Sequence, residues 1–212
     1  MKKLVLLLVT LALLALSGLA SANPTTWHNG EYDLSKVQTI NIVEIANKNV
    51  SLGKYVAETD TEAAVKSALY EAADKHDLLV TEVAAVPGKA SLVQGKRRPT
   101  VVNVKITVDK LGHETQIEPA HYESRTKYIA TDVYDKKGNK TGEARVPMVV
   151  QEYVPESAYH TSYLEIIYNV YDADGTLIFN SRDVRDREGT ADPFGMLERA
   201  SKDFIKHMLK NK

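Results

Sequence analysis

The stretch Tyr163–Val184, YLEIIYNVYDADGTLIFNSRDV, constrains the fold more than any other. Leu164, Ile166, Tyr168 and Val170 alternate with Glu165, Ile167 and Asn169, the period of two that marks a strand with one buried face. Asp174-Gly175 then predicts a two-residue type I′ turn, which needs positive φ at both central residues. That turn sets Val170 opposite Phe179 and Asp172 opposite Leu177. Leu177 and Phe179 thereby join Leu164, Ile166 and Tyr168 on one apolar face. The face needs a cover, and the C-terminal segment supplies one. Asp192-Pro193 reads as an N-cap followed by proline at the first helical position. Phe194, Leu197, Ser201, Phe204, Ile205, Met208 and Leu209 then recur at helical spacing. Lys206, Lys210 and Lys212 sit where the helix dipole favours cations.

Upstream, residues 23–33 read as a polar, extended arm whose single tryptophan, Trp27, packs onto the domain edge. Val37 to Ile45 reads as an interior strand, with Ile40 and Ile42 on one face and Val43 and Ile45 on the other. Thr59 to His76 is the clearest helix. Thr59 and Glu62 have capping-box spacing, and Val65, Ala68, Leu69 and Ala72 form a narrow apolar stripe. Leu78 to Val86 resumes as a strand, so residues 37–86 predict a right-handed β-α-β crossover with parallel strands. Pro87 to Pro99 reads as a loop whose basic cluster, Lys96-Arg97-Arg98, is solvated. In Thr100 to Asp109, Val102, Val104, Ile106 and Val108 face in and Asn103, Lys105 and Thr107 face out. A polar connection runs from Lys110 to Ser124. Arg125–Tyr134 and Ala144–Val154 then form a hairpin about the turn 135–140, with Pro147 marking an edge or a bulge.

This order predicts an α+β fold: a mixed β-sheet with an N-terminal β-α-β unit, two hairpins and a C-terminal helix, both helices on one face of the sheet. Residues 23–212 are expected to form one domain, with the hairpin at about 125–154 inserted in it.

The N-terminus predicts the compartment. Lys2 and Lys3 precede an apolar run, Leu4 to Leu16, which ends in small residues with Ala20-Ser21-Ala22 at a cleavage position. The run falls short of the roughly 20 residues a membrane span needs, and so reads as a secretory signal peptide, residues 1–22. No later stretch is apolar enough to span a bilayer. Cysteine is absent, which excludes disulfides, thiol catalysis and a lipoprotein anchor. Signal cleavage removes two lysines from a formal net charge of −1, so no basic excess points to nucleic acid. These features predict an exported bacterial protein, periplasmic or extracellular, and not a lipoprotein.

Three features resemble a bacterial envelope fold. Val37-Gln-Thr-Ile40-Asn-Ile42 is followed by the helix Thr59–His76; Leu164 to Phe179 forms a strand, an Asp-led turn ending in Gly175, and a returning strand; a C-terminal helix comes next. The order is similar to the N-terminal domain of the translocation protein TolB and to the CsgG-like family. The resemblance implies an envelope assembly or scaffold role with no catalytic residues to carry over. Many members of those families are lipoproteins, which this chain cannot be, and the 125–154 hairpin has no counterpart matched residue by residue.

Motifs for chemistry are sparse. Asp172-Ala-Asp174-Gly175 opens like a calcium loop, but the later ligand positions fall on the returning strand, so turn chemistry explains it. His28, His76, His113, His121, His160 and His207 show no metal-ligand spacing. There is no nucleophile elbow and no S-x-x-K. No catalytic residue, cofactor or metal is expected. Arg182, Arg185 and Arg187 alternate with Asp183, Asp186 and Glu188 as a charge-balanced strand end. The tyrosines point to function. Most of the eleven lie between Tyr122 and Tyr171. A tyrosine pairs a flat apolar ring with a hydroxyl, which suits it to interfaces. Tyr168 reads as core; Tyr128, Tyr134 and Tyr153 on the inserted hairpin read as partner contacts. The chain is thus expected to be a non-catalytic, exported cell-envelope protein that binds a protein or polymer through that hairpin. A periplasmic carrier of a small lipid or glycan is the alternative, and a small hydrolase a more distant one.

Overall fold

A computed structural model of the chain describes residues 24–83, 90–93, 95–189 and 191–211. The expected signal peptide, residues 1–22, lies outside the described residues, as does part of the expected strand 78–86. The fold is mixed α+β, mostly sheet, with two helices among the described residues. In chain order come β1 (Thr25–His28), a 3₁₀ turn (Leu34–Lys36), β2 (Thr39–Asn47), β3 (Tyr55–Ala57), α1 (Thr61–Asp74) and β4 (Leu79–Thr81). Then follow β5 (Ala90–Val93), β6 (Lys96–Pro99), β7 (Val101–Glu118), β8 (His121–Tyr134), β9 (Lys140–Val154), β10 (Ser157–Tyr171), β11 (Leu177–Glu188) and α2 (Pro193–Lys210). The chain divides into two compact units, residues 1–115 with 160–212, and residues 116–159.

In the first unit the sheet order is β1-β11-β10-β7-β2-β4, with β3 pairing with β7 as well. β2 lies between β4 and β7 and is parallel to both. β10 and β11 form the antiparallel hairpin that the alternation requires, with Val170 opposite Phe179. Its turn differs from the type I′ expectation. Gly175 has φ of 79° but Asp174 is not at positive φ. Gly175 N–H donates to the Asp172 carbonyl, and a register shift follows Val170, so Leu177 faces Tyr171 rather than Asp172. Asp172 drives this choice, because its Oδ1 accepts from the N–H groups of both Asp174 and Thr176. Phe179 stays on the Leu164–Val170 face; Leu177 moves off it and is half-buried.

The core fills in register. Val102, Val104, Ile106, Val108, Ile166, Tyr168 and Val170 are fully buried. β2 carries a bulge between Ile42 and Glu44. One extra residue flips parity, so Ile45 comes opposite Ile106 and returns to the face of Ile40 and Ile42 instead of facing away. Asn103 is buried rather than solvated, accepting at its Oδ1 from Asn41 Nδ2 at 2.9 Å. From α2, Phe204 stacks on Tyr168 with ring centroids 4.2 Å apart, and the Tyr168 hydroxyl meets Ser201 Oγ at 3.0 Å. α1 buries Val65, Ala68, Leu69, Ala72 and Ala73.

The helix ends show which local signals act. At α2, the Asp192 carboxylate accepts from Gly195 N–H as expected. Phe194 departs from its expected apolar face and is 42% exposed. At α1 no capping box forms: the N-cap is Asp60, without a side-chain cap, and the Thr61 hydroxyl turns to the Glu58 carbonyl. The far end of α1 closes with Leu78 N–H on the Ala73 carbonyl and Asp77 N–H on Asp74, a Schellman pattern with Asp77 at φ 55° where glycine is usual.

Two connections are more ordered than their polarity suggests. The Pro87–Pro99 segment contains the hairpin β5–β6. The Lys110–Ser124 connection is largely strand, shared between β7 and β8. The N-terminal arm is also a strand, since β1 pairs antiparallel with β11, and Trp27 there is 50% exposed.

Candidate functional site

The unit 116–159 is built on the β8–β9 ribbon, a two-stranded antiparallel sheet of its own. Its register runs without interruption from His121 opposite Val154 to Val133 opposite Gly142. Pro147, which has no N–H, sits opposite Tyr128 inside that register; a ribbon whose strands are both edges can accept it. The turn is fixed by Asp135, whose carboxylate accepts from the N–H groups of Lys137 and Asn139. Those bonds hold the Asp135 carboxyl below its ordinary pKa, and Gly138 supplies a φ of 82°.

Alternation sorts the side chains into two faces. Tyr122, Thr126 and Tyr128 share one face with Tyr153, Val149 and Pro147. Tyr122 and Tyr153 form an edge-to-face pair with centroids 5.4 Å apart. The other face holds Ile129, Val133, Val146 and Met148, each between 42% and 48% exposed. Charged residues lie at both ends of the ribbon, and near the turn Lys140 contacts Asp132 and Glu143. Arg125 contacts Glu123 and Glu152, and Lys127 contacts Glu152. His121 stands between Glu118 and Glu123, and its pKa is raised by hydrogen bonding to the Pro119 carbonyl and then to Glu123.

The expected contact residues are all on the surface: Tyr128 is 68% exposed, Tyr134 59% and Tyr153 57%. They do not form one cluster. Tyr128 lies six positions along the strand from Tyr122, which is paired with Tyr153, and Tyr134 six positions further. At about 3.3 Å per residue the three positions spread over roughly 40 Å. This is an extended strip rather than a pocket. A register irregularity falls between Val133 and Tyr134, and the Tyr134 hydroxyl meets Asp132 Oδ2 at 3.3 Å. Tyr122 is a member of the strip that sequence reasoning missed. The readable signal was symmetry, because Tyr122 and Tyr153 are placed almost evenly about the turn at 135–139.

The remaining motifs serve structure. The basic cluster is engaged: Arg98 Nε lies 2.7 Å from Asp33 Oδ2, and Arg97 donates to the Tyr32 hydroxyl, which itself donates to Asp172. Arg185 bridges the buried Asp183 and the half-exposed Asp203, a link from β11 to α2. Among the described residues no group of three or more histidines and carboxylates could hold a metal ion. No helix among them is long and apolar enough to cross a membrane.

No protein-family model matches the chain, and no curated protein matches it. Among solved structures it is similar to the PelC dodecamer from Paraburkholderia phytofirmans. In one crystal form the identity is 10% and the TM-score 0.46, over 87% of this chain and 96% of that one. In a second the identity is 8% and the TM-score 0.46, over 89% of this chain and 99% of that one.

Proposed function

We propose that this chain is a non-catalytic, exported cell-envelope protein that binds an envelope protein or polymer through the β8–β9 ribbon, with Tyr128, Tyr134 and Tyr153 as contacts. In this reading residues 1–22 are a cleaved signal peptide, and residues 23–212 are one domain with both helices on one face of its sheet and the ribbon inserted. One observation supports it above the others. The ribbon bears aromatic or aliphatic side chains on both faces, most of them exposed, and among the described residues has two open backbone edges. A two-stranded ribbon is marginal in water without a layer packed on it. Exposed tyrosines, valines and a methionine along such a ribbon are what a partner surface would bury. An extended strip fits strand-like docking, in which backbone edges give affinity and alternate side chains give specificity.

The test is site-specific photo-crosslinking in the native cell, with the crosslinker at Tyr134 and a control at the exposed Ser67 of α1. A discrete adduct from position 134 alone is expected, and mass spectrometry of the adduct names the partner. Unchanged partner capture after replacing Tyr128, Tyr134 and Tyr153 together with alanine would sink the proposal.

A further inference from the structure

The first unit presents a second exposed apolar feature, unrelated to the ribbon. In the loop after β2, Val50 is 70% exposed and Leu52 is 80% exposed. The loop is nonetheless tightly held. Leu52 and Tyr55 exchange backbone hydrogen bonds of 3.2 and 3.1 Å about Gly53, which has φ of 62°. Asn49 fastens the loop to β7: its Nδ2 donates to the Leu111 carbonyl at 2.7 Å, and its Oδ1 accepts from Leu111 N–H and from the Tyr55 hydroxyl. Ala57 N–H donates to Ser51 Oγ, and Lys48 N–H to the Val108 carbonyl. This network fixes the backbone so that two aliphatic side chains stand in water. They add nothing to the core.

We infer that the loop 48–54 is an interfacial anchor that docks this unit on an anionic lipid bilayer. The occupant is argued from charge and layering. Lys48 and Lys54 bracket the tip, and Lys110 lies beside it; none forms an ion pair with a described residue. Val50 and Leu52 border a depression of about 350 Å³ with Tyr55, Tyr163, Asp109, Lys110 and Glu114. Of the acids of that depression, Glu114 accepts from the Tyr163 hydroxyl. The Lys110 ammonium sits 5.9 Å over the Tyr163 ring. The tip therefore offers aliphatic groups outermost, half-buried tyrosines behind them, and Lys48, Lys54 and Lys110 around them. This is the arrangement an interface asks for: apolar groups at the acyl boundary, amphipathic rings at headgroup depth, and cations on lipid phosphates.

The experiment uses residues 23–212, which contain the whole core, Tyr32 to Met208. Because the chain lacks cysteine, Leu52→Cys accepts a single polarity-sensitive fluorophore, with Ser67→Cys as the control. Vesicles of phosphatidylethanolamine are compared with and without phosphatidylglycerol. A blue shift at position 52 and none at 67, only with the anionic vesicles and weakened by salt, is expected. In vesicle flotation, Val50→Ser with Leu52→Ser lowers partitioning about tenfold, and each of Lys48→Glu and Lys54→Glu about fivefold or more. These are surface changes, so an unaltered melting curve establishes that the variants fold. No flotation of the parent chain, or flotation equal in the double serine variant, overturns the inference. So does self-association without lipid that the double serine variant abolishes, which would make the tip a contact between copies. Replacing Tyr128, Tyr134 and Tyr153 leaves vesicle binding unchanged, so failure here and failure of the ribbon reading are distinguishable.

Discussion

At the scale of single residues, the buried polar groups set the energetic stakes. Tyr168 and Ser201 are both fully buried, and among the described residues their hydroxyls bond to one another. Ser201→Ala strands the phenol in an apolar layer and is expected to cost about 1–3 kcal/mol. Tyr168→Phe is milder, since Ser201 lies in a helix where its hydroxyl can turn to a backbone carbonyl. The double variant recovers part of the loss, because no unpaired donor remains. Urea titration of the four proteins measures the coupling, and strict additivity would refute it. Asp33 gives the pH dependence. Donation from the Ser35 hydroxyl lowers its pKa against an opposing effect of burial, with Arg98 adding to the lowering. A depressed folded pKa means that the carboxylate's contribution is whole above its unfolded value near about 3.9 and is lost as pH falls through the folded value. Asp33→Asn should therefore lower Tm at pH 7, and the gap to the parent should close on acidification below about pH 4. A gap that widens in acid would show that the assignment is wrong.

At the scale of elements, the helix α1 tests how far local chemistry governs. Asp77 holds a left-handed conformation at φ 55° to complete the Schellman closure. That conformation costs a non-glycine residue about 1–2 kcal/mol, of which glycine's extra backbone entropy would return about 0.5–1. Asp77→Gly should therefore stabilise by about 0.5 kcal/mol, read as a rise of a few degrees in Tm; a fall would show that the aspartate has an unrecognised partner. The same element shows what could be read from sequence and what could not. The apolar stripe of α1 and the Asp192-Pro193 start of α2 were legible because each is a local signal. The β10–β11 pairing was legible because strict alternation and an Asp-Gly turn agree. Its turn type was not, because Asp172 reaches two N–H groups beyond it and so shifts the register by one. The bulge at Val43 was hidden for a related reason: one inserted residue changes face without changing composition. The β8–β9 hairpin was legible from 125 on, but the outer half of β7 and the start of β8 were read as a connection because alternation records burial on one face, and from Gln116 these strands are largely exposed on both. Arg97 and Arg98 looked solvated because their partners Tyr32, Asp33 and Asp172 lie far away in sequence.

At the scale of the whole molecule, stability and the proposed binding role separate by unit. Every residue of the hydrophobic core belongs to residues 1–115 or 160–212, and none lies between 116 and 159. Both helices and the Tyr32–Asp172 link lie within the first unit. The ribbon's hydrogen bonds, by contrast, join two strands that, among the described residues, have no sheet partner beyond each other. Deleting residues 121–154 and joining Ala120 to Pro155 through a short Gly-Ser turn should thus leave the Tm within a few degrees of the parent. Loop closure adds little, since a change in connection length costs only about 0.6 kcal/mol per doubling. The same deletion should abolish the crosslinked adduct while vesicle docking through Val50 and Leu52 persists. With the core in one unit, either proposed contact, a ribbon for a partner or a loop for a bilayer, is expected to be lost without unfolding. Collapse of the melting transition on deletion would show instead that the ribbon belongs to the folding unit. Its exposed side chains would then have to be explained by stability rather than by a partner.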